Sequence, residues 1–176
     1  WYLYLQQEFV YVGDEGIVEP SGKTKRTGID FSARYQFTKW LFADFNANWA
    51  RPRSIDETKG QDYIPLAPTL TSTGGISWQM EKGFNGSIRY RYIRDRPANE
   101  DNSVVAKGYT VADLSLNYTR KKFEIGLAVE NLFNVEWNET QFDTESRLFN
   151  EPQAVSEIHF TPGAPLFLKL AFTYLF

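Results

Sequence analysis

The sequence predicts an all-β chain: an antiparallel transmembrane β-barrel segment of eight meander strands with short periplasmic turns and long extracellular loops. Three observations predict it. The C-terminal run from Leu166 to Phe176 sets Leu166, Leu168, Leu170, Phe172, Tyr174 and Phe176 on one face and Lys169 and Thr173 on the other. That period of two belongs to a strand, and eleven residues is about the length of a tilted strand crossing a bilayer. The same alternation recurs in eight segments, and the connections between them alternate between short and long.

In chain order the segments are roughly 1–12, 24–37, 41–51, 69–79, 84–93, 109–118, 123–131 and 166–176. The first opens Trp1-Tyr2-Leu3-Tyr4 without an initiator Met, a basic n-region or an apolar signal segment, so it reads as the interior of a longer chain. In the second, Ile29, Phe31, Ala33, Tyr35 and Phe37 oppose Asp30, Ser32, Arg34 and Gln36. In the third, Leu41, Ala43, Phe45, Ala47 and Trp49 oppose Phe42, Asp44, Asn46 and Asn48. The fifth sets Phe84, Ile88, Tyr90 and Tyr92 against Asn85, Ser87, Arg89 and Arg91. The sixth sets Ala112, Leu114, Leu116 and Tyr118 against Asp113, Ser115 and Asn117. In the seventh, Phe123, Ile125, Leu127 and Val129 oppose Glu124, Gly126, Ala128 and Glu130. None of these faces repeats every three or four residues, which excludes helices.

Tight links fall at 38–40, 80–83 and 119–122, and long polar ones at about 13–23, 52–68, 94–108 and 132–165. Outer-membrane barrels have short periplasmic turns and longer extracellular loops, and placing Phe176 at the periplasmic end satisfies every connection. Charge then orients the faces. Asp30, Arg34, Asp44, Arg89, Arg91, Asp113, Glu124, Glu130 and Lys169 share the polar face, and exposing them to hydrocarbon costs up to about 2–4 kcal/mol each. The apolar face is therefore expected to meet outer-membrane lipid. Rings gather at its two ends: Phe37, Trp40, Trp78, Phe84, Tyr118, Phe123 and Phe176 below, Tyr11, Trp49, Tyr92 and Tyr109 above, as interfacial girdles do.

Composition agrees. The 176 residues are one domain's worth of chain, and no run of about 18 apolar residues offers a membrane-spanning helix. Aromatics make up 16% of the chain, and the net charge of −3 argues against nucleic acid as a partner. There is no Cys, hence no disulfide framework and no thiolate chemistry.

Several short motifs resemble the C-terminal barrel segment of TonB-dependent outer-membrane receptors. Arg26-Thr27-Gly28-Ile29-Asp30 is similar to the start of a late barrel strand in that family. Ile64-Pro65-Leu66-Ala67-Pro68 resembles a lead-in to the next strand, and Arg89-Tyr90-Arg91-Tyr92 with Arg96-Pro97, Gly108-Tyr109 and Asp113 resembles the following hairpin. Asn131-Leu132-Phe133-Asn134, preceded by Glu130, matches the family's Asn-Leu-Phe signature and is the most specific piece. Pro162, Gly163 and Pro165 resemble the Pro-Gly-x-Pro lead-in to the final strand, and Phe176 the terminal aromatic. Leu166 stands where members often have Arg. The prolines lie outside strand interiors and the asparagines suit turns, so these motif residues are expected to be structural.

The resemblance implies that residues 1–176 are the C-terminal part of a receptor barrel of about 22 strands whose plug domain and earlier strands are absent here. It implies energy-coupled uptake of a scarce nutrient across a Gram-negative cell outer membrane, with ferric siderophores first, then cobalamin or oligosaccharide. The implied partners are outer-membrane lipid, the TonB system acting through the missing plug, the barrel-assembly machinery reading the C-terminal strand, and the nutrient itself. Two other architectures fit the alternation: a self-contained eight-stranded outer-membrane barrel of structural or adhesive type, and a soluble lipocalin-like barrel with its apolar face inward.

No catalytic constellation stands out, and no cofactor, metal or enzyme activity is expected. His159 is the only histidine, read as a loop residue close to Glu157, and no second His or Cys completes a zinc set. Gly74-Gly75 lies inside a strand rather than before a helix, so it is no phosphate cradle. The candidate ligand-binding residues are lumen-facing Arg34 with Arg89, Arg91 and Arg94 near the outer mouth, since a basic lumen attracts an anionic chelate. The competing role for the same arginines is pairing with Asp44, Asp113 and Glu124, and it is preferred.

Overall fold

Every regular element among the described residues, which are 1–12, 17–20 and 22–176 of a computed structural model, is a strand. In chain order these are β1 (Tyr2–Leu5), β2 (Phe9–Val12), β3 (Ile17–Pro20), β4 (Thr24–Gln36), β5 (Leu41–Ser54), β6 (Leu70–Gln79) and β7 (Phe84–Ile93). There follow β8 (Arg96–Pro97), β9 (Val105–Ala106), β10 (Tyr109–Thr119), β11 (Phe123–Glu130), β12 (Asn138–Ser146), β13 (Val155–Pro162) and β14 (Phe167–Tyr174). Eight of them form one antiparallel sheet in the order β1-β4-β5-β6-β7-β10-β11-β14. The other six pair as three hairpins, β2-β3, β8-β9 and β12-β13.

The large sheet is open. β1 and β14 lie at opposite edges, so the chain does not close on itself as a self-contained eight-stranded barrel must. At the short-link end the turns are tight: Phe37 N–H donates to Leu41 O at 3.0 Å, Met80 N–H to Phe84 O at 2.9 Å, and Arg120 N–H to Phe123 O at 2.8 Å. Gly83 has φ of +83°, and a Cβ there would lie 2.1 Å from the Thr119 carbonyl oxygen, so the turn between β6 and β7 requires glycine.

The first strand segment is corrected. Residues 1–12 are not one strand: β1 stops at Leu5, Gln6 and Gln7 bend, and β2 turns into a hairpin with β3. Glu8 explains the break. Its carboxylate accepts from Thr24 Oγ1 at 2.6 Å and pairs with Arg26, which pulls the chain across the end of β4 instead of along its edge. Two further long connections also carry hairpins that their weak alternation does not announce. β8 and β9 fall in 94–108, and β12 and β13 in 132–165. His159 accordingly sits on β13 opposite Phe142, not in a loop, with Nε2 3.6 Å from the Glu157 carboxylate.

Register fixes the two faces, because residues directly opposite across a sheet share a side. Arg34 faces Asp44, Asp44 faces Gly75, Gly75 faces Arg89, and Arg89 faces Asp113, so the charged residues form one row. Leu116, Leu127 and Leu170 align on the other side, as do Ala33, Phe45, Gly74 and Tyr90. That apolar face has almost no cover: Ile29, Phe31, Leu170 and Phe172 are 57–71% exposed. So much unburied apolar area points to a non-aqueous contact.

The lower rings meet in pairs, Trp78 with Phe84 (centroids 6.4 Å), Tyr118 with Phe123 (6.2 Å) and Tyr174 with Phe176 (5.3 Å). Above, Trp49 is on the apolar face, but Tyr109 is not. It is opposite Ile93, two residues beyond Arg91 on the polar side, and its ring packs on Trp137 at 4.7 Å. The Tyr11 side chain lies outside the described residues.

This division of faces predicts labelling. With the full-length protein in lipid vesicles, a single Cys replacing Phe31 or Leu170 is expected to react with a water-soluble maleimide about tenfold more slowly than one replacing Asn46 or Thr73. Equal rates at all four positions would overturn the assignment.

Candidate functional site

The polar face of β5, β6 and β7 is organised around a glycine. Asp44 and Arg89 lie on strands that do not touch, about 10 Å apart with β6 between them. Gly75 is the β6 residue in their row, and with no side chain there the Arg89 guanidinium reaches across. Nη1 and Nη2 donate to the two Asp44 carboxylate oxygens at 2.8 Å each, a bidentate pair. An added Cβ at Gly75 would lie 2.2 Å from the Ile88 carbonyl oxygen, so the position has no room for one.

One level further along β7, Arg91 Nη1 donates to Asp113 Oδ2 at 2.9 Å. The other oxygen, Asp113 Oδ1, accepts the Asn131 backbone N–H at 2.9 Å. Arg91 also lies 5.2 Å from the centroid of the Trp137 ring, whose other neighbour is Tyr109. A cation held by a carboxylate and an aromatic platform thus stands at the upper end of the polar face. Arg34 makes no ion pair among the described residues and lines a depression of about 520 Å³ with Asp44, Asn46 and Arg89.

The sequence-predicted cations therefore divide. Arg34, Arg89 and Arg91 share the polar face, with Arg89 and Arg91 paired to carboxylates as preferred. Glu124 takes no part in those pairs. Arg94 is corrected: its N–H donates to Leu70 O at 3.0 Å, which continues the β6–β7 register by one step and sets it on the side of Leu70 and Trp49, not of Arg89 and Arg91. Position 94, just beyond the end of β7, continues the parity of Tyr90 and Tyr92.

The Asn131-Leu132-Phe133-Asn134 turn has a structural role. Asn131 and Asn134 both adopt φ of +49°, the left-handed region in which Asn is one of few residues tolerated. Asn131 is 2% exposed; its Nδ2 donates to Val135 O (2.8 Å) and Ala164 O (3.1 Å), and its Oδ1 accepts from Val135 N–H (2.8 Å). Asn134 Oδ1 accepts the Leu166 N–H at 3.0 Å. The turn after β11 is thereby tied to the segment leading into β14. Gly163 lies against the Trp137 indole, where a Cβ would come within 2.1 Å of a ring carbon, and Trp137 Nε1 donates to Ala164 O at 3.1 Å. Gly28 is covered in the same way by Trp1. Pro162 and Pro165 bracket Gly163, whereas Leu132 is half-buried and Phe133 and Phe176 stay exposed.

Comparison with family models decides the class. The model described as TonB dependent receptor-like, beta-barrel matches residues 2–132. The chain belongs to this family. It is a family of receptors and transporters of the Gram-negative outer membrane, not of enzymes. No curated protein sequence matches the chain. Among solved structures it is similar to the ferric-catecholate import receptor Fiu from K12 E. coli, with a TM-score of 0.69 and 20% identity over 99% of this chain and 24% of that one. It is also similar to the ferric yersiniabactin uptake receptor FyuA from Yersinia pestis (TM-score 0.64, 17% identity, 91% of this chain and 25% of that one). The copper transporter OprC matches at a TM-score of 0.62 with 16% identity over 96% of this chain and 26% of its own. The chain thus spans about a quarter of the length of these receptors, and its open sheet is the corresponding arc of wall.

Sequence reasoning missed Trp137 and Glu8, whose partners are distant in the chain. A Trp immediately before a strand carries no periodic signal, and Glu8 interrupts an alternation that otherwise runs on. The Asn131 network yields a prediction. In the full-length receptor, Asn131→Ala is expected to lower stability by about 3 kcal/mol, since it leaves buried groups unpaired and adds left-handed strain. Asn131→Gly, which removes only the strain, should recover about 1 kcal/mol of that loss, read as thermal unfolding of the detergent-solubilised barrel.

Proposed function

We infer that residues 1–176 are the C-terminal wall of a receptor that imports a ferric siderophore across the outer membrane, with cobalamin or an oligosaccharide as less favoured cargo. The observation that carries the inference is the family match, joined to a polar face on which cations stand next to an aromatic platform. Fiu, named for ferric-catecholate import, and FyuA, named for ferric yersiniabactin uptake, share the fold. Arg34 is the cation offered to an anionic chelate, while Arg89 and Arg91 hold the charge of the wall in balance. The apolar face meets lipid, the loop hairpins face outward, and TonB acts on the plug that other parts of the receptor supply. A copper cargo has the likeness to OprC in its favour, but this chain brings one His, one Met and no Cys to such a site.

The test is growth on iron. The full-length gene, expressed in a strain lacking its own siderophore receptors, is expected to restore growth on at least one ferric siderophore, and deletion of TonB should abolish the rescue. Arg34→Ala should weaken binding of that chelate by roughly tenfold, the loss of one charge contact. Rescue by copper alone, or independence from TonB, would overturn the cargo or the energy source respectively.

The terminal aromatic gives a second expectation. Phe176 is fully exposed beyond β14, so removing it costs the folded wall little. If the barrel-assembly machinery reads the C-terminal strand, deletion of Phe176 lowers outer-membrane abundance of the full-length receptor while leaving the melting temperature of the assembled fraction unchanged. Undiminished abundance would count against that partner.

A further inference from the structure

The tight links form a rim of one charge. The turns at 38–40, 80–83 and 119–122 carry Lys39, Lys82, Arg120, Lys121 and Lys122 against the single carboxylate of Glu81, in a chain whose net charge is −3. All five cations are exposed, and none makes an ion pair among the described residues. The next carboxylate along the chain, Glu124, is opposite Thr119 and has the parity of the polar face. Backbone bonds tie each turn to its neighbours. Gln79 N–H donates to Trp40 O at 2.8 Å, Thr119 N–H to Gly83 O at 2.9 Å, and Leu175 N–H to Lys122 O at 2.8 Å. The cations are therefore held side by side along one edge of the wall.

Their depth follows from the lower rings. Lys39 precedes Trp40, Lys82 is two positions before Phe84, Arg120 is two after Tyr118, and Lys121 and Lys122 lead into Phe123. At about 3.3 Å per residue, each cation has its backbone within about 7 Å of a ring of that girdle. The headgroup layer occupies roughly the first 5–8 Å beyond the hydrocarbon. Arg120 fixes the side. It continues the parity of Leu116 and Tyr118 on the apolar face. Its guanidinium lies 4.9 Å from the centroid of the Tyr118 ring, and its Nε donates to the Tyr118 hydroxyl at 2.5 Å. A cation is thus anchored on a ring of the lipid-facing row, where apolar surface gives way to charge.

We propose that this rim recruits anionic phospholipids of the inner, periplasm-facing leaflet, with Lys82, Lys121 and Lys122 as the charge that selects them and Arg120 as the anchor beside Tyr118. Cations next to a membrane attract anionic headgroups, and the attraction fades within a Debye length of about 8 Å at physiological ionic strength. Cations at headgroup depth are inside that range. A lipid is favoured over a free anion or an anionic cell-wall glycopeptide, because Arg120 continues the lipid-facing row and the whole rim is within a headgroup's depth of the rings. The proposal rests on the membrane placement given above, and the two fail separately: fractionation of cells tests the placement, titration tests the rim.

The experiment uses the full-length receptor in non-ionic detergent, titrated with phosphatidylglycerol, phosphatidylcholine, inorganic phosphate and a soluble muropeptide. Binding is read by thermophoresis. Phosphatidylglycerol is expected to bind at least tenfold more tightly than phosphatidylcholine, and Lys82→Gln with Lys121→Gln and Lys122→Gln should remove that preference. The same three positions changed to Arg should keep it. Arg51→Gln with Arg94→Gln, at the opposite end of the wall, should leave it intact. The three lysines are exposed and the turn bonds run through the backbone, so these variants leave the ladder unaltered. Equal binding of the two lipids, or an undiminished preference in the Gln variant, overturns the proposal. Loss of the preference in the Arg variant as well overturns its basis in charge. Inorganic phosphate or muropeptide displacing phosphatidylglycerol at equal concentration overturns the lipid and assigns the rim to a free anion or to the cell wall.

Discussion

A wall between lipid and water has to bond every backbone N–H and C=O within itself, because one of the two media supplies no partner. The rest of the structure follows from that constraint. It dictates strands of 8–14 residues through most of the sheet and full-length ladders between neighbours. It also accounts for the tight links at one end, where backbone groups not in the ladder are bonded to residues three or four positions away. Prolines are confined to the loops or to the outermost strand positions, such as Pro52, Pro97 and Pro162, where no ladder bond in the spanning region is lost. The open edges of β1 and β14 belong to the same logic. In the complete family fold further strands pair with them, and this chain, about a quarter of such receptors, is the arc between those junctions.

Charge on the polar face is arranged by the same alternation. Side chains two strands apart meet only where the strand between them is bare, and Gly75 is the bare position that joins Asp44 to Arg89. With side chains 24% and 47% exposed, that pair contributes at most about 1 kcal/mol to stability. Its larger effect is on the field inside the barrel. Arg89 and Arg91 are each neutralised by a carboxylate, while Arg34, opposite Asp44 in the ladder, makes no ion pair of its own among the described residues. The Arg91–Asp113 pair is anchored further by the Asn131 N–H, so the charge pattern of the wall and the turn that leads towards β14 are one network.

Much of this was legible in the residues. Seven of the eight wall strands follow from the period of two, because each is half in contact with an apolar medium and each slip in register reverses every side chain. The pairing of Arg89 and Arg91 followed from charge balance on one face. What stayed hidden was structure with no medium to impose a pattern. The hairpins β8-β9 and β12-β13 pair outside the large sheet, and their sequences barely alternate. Glu8 broke the first segment through contacts to Thr24 and Arg26, which lie 16 and 18 residues away. Trp137 gained its place from Gly163 and Arg91, distant in sequence and close only after β11 and β14 have paired.

One strand shows how far the code extends. The odd positions of β5 read Leu41, Ala43, Phe45, Ala47, Trp49, Arg51 and Arg53, and the ladder to β4 keeps them all on one side. Aliphatic and aromatic residues occupy the stretch from Leu41 to Trp49, and guanidinium groups follow. A strand that merely had to end its membrane contact would need only small polar residues beyond Trp49. Arg51 is exposed to solvent, and Arg53 beyond it is paired with Asp62. The alternation thus records two kinds of surroundings along a single strand, an apolar one up to Trp49 and a polar one beyond it.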